Sequence, residues 1–196
     1  MEKREKSDRL EAEERAVYCF GTAKLFEERR KKYKLRNKII KFTGLSIPIS
    51  LGFFAMSPEI SSLIPILKPI VMPILLSITT LINAAMLILS IWALVDEWDA
   101  KVENYTESVS NNRQYFKIFK EISERYDENP TEYAAKFKET ILLDDIQQNK
   151  DDKENFSAWD DRFITRHGLY QLHLPCPKCG NIPSIKNPKP CENCGI

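Results

Sequence analysis

The residues best suited to chemistry lie at the C-terminal end of the chain, where two Cys-x-x-Cys pairs occur. Cys176 pairs with Cys179 and Cys191 with Cys194, and a glycine follows each pair. A Cys-x-x-Cys turn brings two sulfur atoms within reach of one ion, and Zn²⁺ takes four thiolates at the corners of a tetrahedron. The spacing predicts a structural zinc site in residues 171–196, with no open position for a reacting water. A disulfide pair is the alternative in an oxidising compartment, and iron is a less common ion for four thiolates.

The same segment has few apolar residues with which to build a core. Leu174, Ile182 and Ile185 are the main ones, so a metal ion is expected to supply most of the folding free energy of the segment. His167 and His173 are near enough in sequence to act as ligands in another arrangement. We expect them instead to be ordinary surface or interface residues.

No catalytic motif accompanies the cysteines. The sequence contains no nucleophile elbow, no phosphate-binding loop and no His-Glu-x-x-His. The fifth cysteine, Cys19, is expected to be a small residue of a helix, and palmitoylation is a weaker alternative. We therefore do not expect an enzyme.

Charge is distributed unevenly along the chain, although the net charge is only +1. Residues 24–41 are strongly basic, residues 42–95 are almost uncharged, and residues 96–163 are acidic. An apolar block between basic and acidic segments is typical of a membrane protein. Within that block, residues 70–95 carry no charge and exceed the roughly 20 residues that a transmembrane helix requires.

The apolar block predicts two transmembrane helices, residues 42–57 and 70–95, joined by a short external loop at 58–69. Residues 42–57 reach spanning length only when the helix is counted from Ile39, so a buried core helix or a re-entrant segment is the alternative. Many lysines and arginines precede the first span, which predicts that both termini are cytoplasmic. This basic run is either a topology signal alone or also a contact for anionic lipid headgroups, and it comprises Arg29, Arg30, Lys31, Lys32 and Lys34.

Each predicted span has a stripe of small polar residues along one side of the helix. The stripes comprise Thr43, Ser46 and Ser50 in the first span and Thr79, Asn83 and Ser90 in the second. They either line a water-filled path in an oligomer or bond one helix to another. Asn83 is the most informative of them, because it is the only side-chain amide in either span.

The remaining segments predict cytoplasmic helices. Residues 1–41 are expected to form a basic amphipathic helix with Leu10, Val17, Tyr18 and Leu25 on its apolar face. Residues 96–128 predict a stalk helix, and residues 129–170 predict a further helical segment with a linker. The fold class expected from these elements is an all-α membrane protein, in which a two-span hairpin carries long cytoplasmic helices and a small zinc-knuckle or zinc-ribbon module.

The stalk helix has the alternating four–three spacing of a coiled-coil seam. Spacing alone does not name the partner, so this seam either joins copies of the chain or packs against the N-terminal helix of the same chain. A polar residue at a seam position, here Asn112, can fix the register of the pairing. The seam residues are Trp98, Val102, Tyr105, Val109, Asn112, Phe116 and Phe119.

The cysteine spacing resembles that of a known family. The tail, with Pro183-Ser184-Ile185-Lys186 between its two pairs, is similar to the tail of the mobile-element-associated proteins named for a CxxCx(11)CxxC motif. Those proteins belong to the SLATT superfamily, whose two-span layout is similar to nearly the whole chain. The resemblance implies an effector of bacterial conflict systems against phage and mobile elements. In such systems a partner sensor, often a nucleotide-second-messenger module, triggers pores in the inner membrane.

Two functional hypotheses follow. In the first, the chain is an oligomeric effector that forms or gates a pore, with the lipid bilayer, further copies of the chain and a sensor from a neighbouring gene as partners. In the second, the chain is a membrane-anchored adaptor whose zinc module binds a protein or a nucleic acid. The tail has too few basic residues for tight nucleic-acid binding. A transporter subunit or regulator is a weaker third hypothesis.

Overall fold

The computed structural model contains five α-helices in the part of the chain that it describes, and no strand in that part. The backbone is described for residues 2–56, 68–186 and 188–195, and side chains are described in these ranges except for 2–7, 45, 47–56, 68–72, 75 and 76. The helices are α1 (Glu2–Met56), α2 (Lys68–Val95), α3 (Trp98–Arg125), α4 (Pro130–Asp151) and α5 (Ala158–Leu172). Single 3-10 turns follow α3 and α4. The all-α prediction is confirmed.

The chain divides into two compact units. The first, which we call the bundle unit, comprises Met1–Arg30 and Glu103–Ile196, and the second, the apolar unit, comprises Lys31–Val102. The two long helices α1 and α3 each contribute residues to both units.

The core of the bundle unit forms where small residues of α1 meet large residues of α3 and α4. Fully buried α1 positions include Ala12, Ala16 and Cys19, which recur every three or four residues and so share one face of the helix. Their small side chains let aromatic residues of the other helices approach closely. The predicted apolar face was wrong at Leu10, which is 53% exposed, because the sequence argument weighted large apolar residues over alanine.

The coiled-coil spacing of α3 is satisfied within the bundle unit. The ring of Phe119 meets that of Phe137 on α4 edge to face, with centroids 6.0 Å apart. Asn112 donates a 2.7 Å hydrogen bond to Oδ2 of Asp151, also on α4. Four seam residues of this unit are buried against the same chain, namely Tyr105, Val109, Asn112 and Phe119. The intrachain alternative therefore accounts for this seam without a second copy.

The fifth helix is fixed at its start by a capping box. The Ser157 side chain accepts from the backbone N–H of Asp160, and the Asp160 carboxylate accepts from the backbone N–H of Ser157. These reciprocal bonds satisfy N–H groups that a helix start leaves unpaired. A similar cap begins α4, where Asn129 Oδ1 accepts from the N–H of Glu132 and Pro130 occupies the first helical position.

Helices α1 and α5 cross with almost no space between their backbones. A Cβ added at Gly21 would lie 2.0 Å from the carbonyl oxygen of Ile164, and one added at Gly168 would lie 2.0 Å from that of Val17. Each glycine therefore packs directly against the backbone of the other helix. This crossing was not predicted from the sequence, because a lone glycine in a helical pattern is compatible with several structures.

The apolar unit contains one segment, among the described residues, that is long and apolar enough to cross a membrane. It is Ser77–Val95 of α2, and none of it is buried. The predicted first span lies in α1, which continues to Met56, but most of its side chains fall outside the described residues. The predicted external loop at 58–69 also lies almost wholly outside them. The stalk helix begins at Trp98 rather than at residue 96, because Glu97 adopts a left-handed conformation with φ of 49°.

Candidate metal centre and predicted lipid-contact residues

The backbone of the tail forms two similar turns, one around each cysteine pair. The carbonyl of Cys176 accepts from the N–H of Gly180, and that of Cys191 accepts from the N–H of Gly195, each at 2.8 Å. The two glycines are required for different reasons. Gly180 has a φ of +70°, which favours glycine, whereas a Cβ at Gly195 would lie 2.1 Å from the backbone nitrogen of Cys191.

The two turns bring all four sulfur atoms together. The Sγ atoms of Cys176, Cys179, Cys191 and Cys194 all lie within 4.8 Å of one another, and no disulfide joins them. Tetrahedral zinc with Zn–S bonds of about 2.3 Å requires sulfurs about 3.8 Å apart. The Cys179 and Cys194 Sγ atoms are already 3.8 Å apart. The predicted four-cysteine cluster is confirmed, and its donor set and spacing fit a four-coordinate metal ion.

Backbone N–H groups favour the thiolate form of the first cysteine of each pair. Burial acts to raise the pKa of Cys176, but hydrogen bonds, first those from the N–H groups of Cys179 and Lys178, together lower that pKa to about 6. The N–H groups of Asn193 and Cys194 likewise lower the pKa of Cys191, whereas burial raises that of Cys194. Because the thiolate is the metal-binding form of cysteine, the turns favour Cys176 and Cys191 as ligands before an ion arrives. The ion itself would contribute a closed tetrahedral centre that stabilises the fold and leaves no position for substrate.

The cysteine module is attached to the end of α5. Leu169 of that helix packs against Cys176 and Cys194, and Leu174 and Val17 pack at the edge of the same cluster. The helix ends where the N–H of Leu174 bonds the carbonyl of Leu169 at 3.0 Å. The first cysteine turn therefore follows directly from the helix, which fixes the direction in which its ligands emerge.

Neither histidine belongs to the four-ligand group. His167 is half-buried and its ring lies 4.1 Å from that of Phe163. Burial lowers the pKa of His167 to about 4. His173 terminates α5 in a left-handed conformation with φ of 54°. Both residues therefore have structural positions, His167 packed beside Phe163 and His173 at the end of the helix.

Not all of the predicted headgroup contacts are exposed side chains. Arg29 lies in the bundle unit, where its Nη2 is 3.0 Å from an Asp160 oxygen and its Nη1 is 3.8 Å from a Glu154 oxygen. The Arg29 side chain is 24% exposed. Carboxylates of the same chain thus already compensate this charge. Of the other predicted contacts, Lys31, Lys32 and Lys34 are exposed and Arg30 is partly exposed.

The polar residues of the apolar unit differ in how their hydrogen-bonding groups are satisfied. The Thr43 hydroxyl donates to the carbonyl of Ile39 at 2.7 Å, and the Ser90 hydroxyl donates to that of Met86 at 2.8 Å. Ser46 and Thr79 are partly buried. The side chain of Ser50 falls outside the described residues. Asn83 is exposed, and no hydrogen bond of its amide occurs among the described residues.

Two buried carboxylates of α4 were missed by the sequence argument. Asp144 is completely buried, and it accepts from Arg15 Nη1 at 2.6 Å and from the Cys19 thiol at 3.3 Å. Asp151 is 2% exposed. The signal was present, because the buried α4 positions follow a four–three spacing: Tyr133, Phe137, Thr140, Asp144, Gln147 and Asp151.

Comparison with known proteins gives a family but no relative of established structure. No curated protein and no solved structure matched the chain. The sequence profile of the mobilome CxxCx(11)CxxC proteins matches residues 9–196, which include the helices and both cysteine pairs. The chain therefore belongs to the mobilome CxxCx(11)CxxC protein family.

Proposed function

We propose that the chain is an oligomeric membrane effector whose apolar unit crosses the inner membrane as a two-span hairpin. In this proposal the segment Ser77–Val95 and the predicted span 42–57 cross together, and copies of the chain assemble to form or gate a pore. The support is that no residue of Ser77–Val95 is buried. An apolar helix of this length is unfavourable in water and favourable in hydrocarbon.

The observation that carries the pore over a simple anchor is Asn83. Its amide is exposed on the uncharged segment Ser77–Val95 and has no partner among the described residues. The hydroxyls of Thr43 and Ser90 instead bond carbonyls of their own helices. An unpaired amide in hydrocarbon costs several kcal/mol, so it requires either water or a partner on another helix. Copies of α2 around a water-filled path would provide this amide with both water and neighbouring helices.

The family adds a biological setting to this proposal. Mobile-element-associated proteins of the SLATT type, which the layout resembles, are thought to act in bacterial conflict systems against phage. We extend that role to this chain, with both termini in the cytoplasm and a sensor from a neighbouring gene as the trigger. The four-cysteine module would then be the cytoplasmic part that docks to the sensor or clamps the assembly.

Membrane leakage after induced expression tests the proposal. Potassium release and dye uptake are measured in cells expressing the wild-type chain, Asn83→Leu or the matched control Ser77→Leu. Ser77 is a suitable control because its hydroxyl already bonds the carbonyl of Pro73 at 2.8 Å. We expect leakage with the wild type and the control, and reduced leakage with Asn83→Leu at equal membrane insertion. Equal leakage from all three would contradict the inference that Asn83 lines the path.

A membrane-anchored adaptor is the second candidate, and the tail provides an observation in its favour. Ile182 and Ile185 between the cysteine pairs are 52% and 40% exposed. Exposed apolar side chains on a rigid metal module are suited to binding a protein surface. An adaptor would insert into the membrane without leakage, so a wild-type chain that inserts and causes none would favour this function.

A further inference from the structure

A buried cation lies on the helix face that packs against the four-cysteine centre. Arg166 of α5 is 8% exposed and precedes Leu169, which packs against Cys176 and Cys194, by three residues. Residues three apart share a helix face, so Arg166 lies on the side of α5 that faces the cysteines. Burial lowers the pKa of the Arg166 guanidinium, and Cys194 is near enough that a thiolate there would oppose that effect.

Arg166 lacks the carboxylate partner that the half-buried Arg15 and Arg29 have. Its Nε is buried without a hydrogen-bond partner, and no carboxylate in the described part of the chain pairs with it. By contrast, Arg15 lies 2.6 Å from a carboxylate oxygen of Asp144. The ring of Phe163, with its centroid 6.0 Å from the guanidinium carbon, is the aromatic contact of Arg166. A buried charge without a counter-charge is strongly unfavourable, so an anion is expected nearby.

We propose that the metal–thiolate centre is that anion and that Arg166 is its electrostatic partner. Metal binding requires all four cysteines to be deprotonated. Four thiolates around one divalent ion leave about two negative charges in excess. Arg166 compensates part of this charge from the α5 side and acts as a positioning residue for Cys194. This inference rests on metal binding by the four cysteines and is independent of the membrane proposal.

The Arg166 charge should contribute differently in the two states of the protein. With metal bound, it faces the excess negative charge of the full four-thiolate centre and stabilises that centre. Without metal, the cysteines need not all be ionised, so the same charge is compensated less. An arginine retained only for packing would instead contribute equally in both states, because its aliphatic stem makes the same contacts with or without the ion.

The test uses the full-length protein and the variants Arg166→Met, Arg166→Lys and Arg125→Met. Methionine keeps the aliphatic length and removes the charge, lysine keeps the charge, and Arg125 is an exposed control that pairs with Glu128 at 2.7 Å. Zn²⁺ affinity is measured by competition with a chromophoric chelator, and Co²⁺ substitution reports the thiolate-to-metal charge-transfer band. Thermal unfolding is recorded with excess Zn²⁺ and with chelator.

We expect Arg166→Met to weaken Zn²⁺ binding by about 10–100-fold, the usual effect of losing a partner of a metal ligand. We also expect it to shift the Co²⁺ band and to lower the unfolding temperature of the Zn²⁺-loaded protein more than that of the metal-free protein. Arg166→Lys should retain most of the affinity, and Arg125→Met should behave as the wild type. Affinity of Arg166→Met equal to that of Arg125→Met would overturn the proposal. An equal loss of stability with and without Zn²⁺, or an Arg166→Met chain that fails to fold in both states, would also overturn it. A wild-type chain that binds neither Zn²⁺ nor Co²⁺ would instead refute the metal site itself.

Discussion

Replacing Gly168 with alanine is expected to force apart two helices that meet backbone to backbone. The added Cβ would lie 2.0 Å from the carbonyl oxygen of Val17, whereas ordinary van der Waals contact begins at 3.4 Å. Helix α5 would therefore have to move away from α1 by about 1.4 Å, the difference between those two distances. Because the blocking atom belongs to the backbone, no change of rotamer can relieve the contact.

The size of the effect follows from opposing contributions. Forcing an extra group into a packed contact costs about 1–3 kcal/mol, and a gap of about 1 Å opened elsewhere at the crossing loses up to half of the dispersion energy there. Alanine recovers up to about 1 kcal/mol through its higher helix propensity. We expect a net loss of about 2 kcal/mol in the free energy of unfolding. For a unit of this size, that loss lowers the unfolding temperature by about 8 °C.

The assay is thermal unfolding of the zinc-loaded full-length protein, followed by circular dichroism at 222 nm. Gly44→Ala is the control, because nothing lies within 4 Å of a Cβ added there, and it should not lower the unfolding temperature. A lower midpoint for Gly168→Ala alone supports the close crossing. If Gly168→Ala unfolds at or above the wild-type temperature, the reasoning about the α1–α5 contact is wrong.

Two further predictions concern the bundle unit. Asp151 is 2% exposed and burial raises its pKa, so the folded chain binds this proton more tightly than the unfolded chain and the ionised group lowers stability at neutral pH. Asp151→Asn removes this pH dependence, but it also replaces an oxygen that accepts from Ser108, Asn112 or Gln147 with a donor. The unfolding temperature of the metal-free variant relative to the wild type should therefore rise as the pH increases from near 3.8, the ordinary value for aspartate, to 7. A difference that stays constant or falls over that range contradicts this. Phe119 is completely buried, so Phe119→Ala should cost about 3–5 kcal/mol in chemical denaturation. Leu142→Ala, at a position 67% exposed, should change stability by less than about 0.5 kcal/mol, and similar losses for the two variants would place Phe119 outside the core.

The metal centre could be predicted from the sequence because its information is local. Each cysteine pair spans four residues, and the turn that holds a pair is set by neighbouring N–H groups and by Gly180 or Gly195. No distant contact has to be known to expect such a turn. The helices were predicted for the same reason, since composition and caps such as the one at Asn129 act over a few residues.

Partners across the chain could not be predicted in the same way. The four–three spacing of α3 was correct, but spacing does not reveal that Asn112 binds Asp151 of its own chain. Arg29 belonged to a basic run that suggested lipid headgroups, yet Asp160 lies 3.0 Å from it. The alanines at positions 12 and 16 were overlooked because burial of a small residue leaves little hydropathy signal. In each case tertiary packing determined which of several local possibilities was realised.

The central claim is that copies of the exposed apolar helix enclose a conducting path lined by Asn83. Current recording with the purified chain in planar bilayers tests it most directly, with Asn83→Leu and Ser77→Leu measured beside the wild type. We expect discrete current steps for the wild type and for Ser77→Leu, and smaller or rarer steps for Asn83→Leu. Stable insertion of the wild-type protein with no current above that of bare lipid would contradict it.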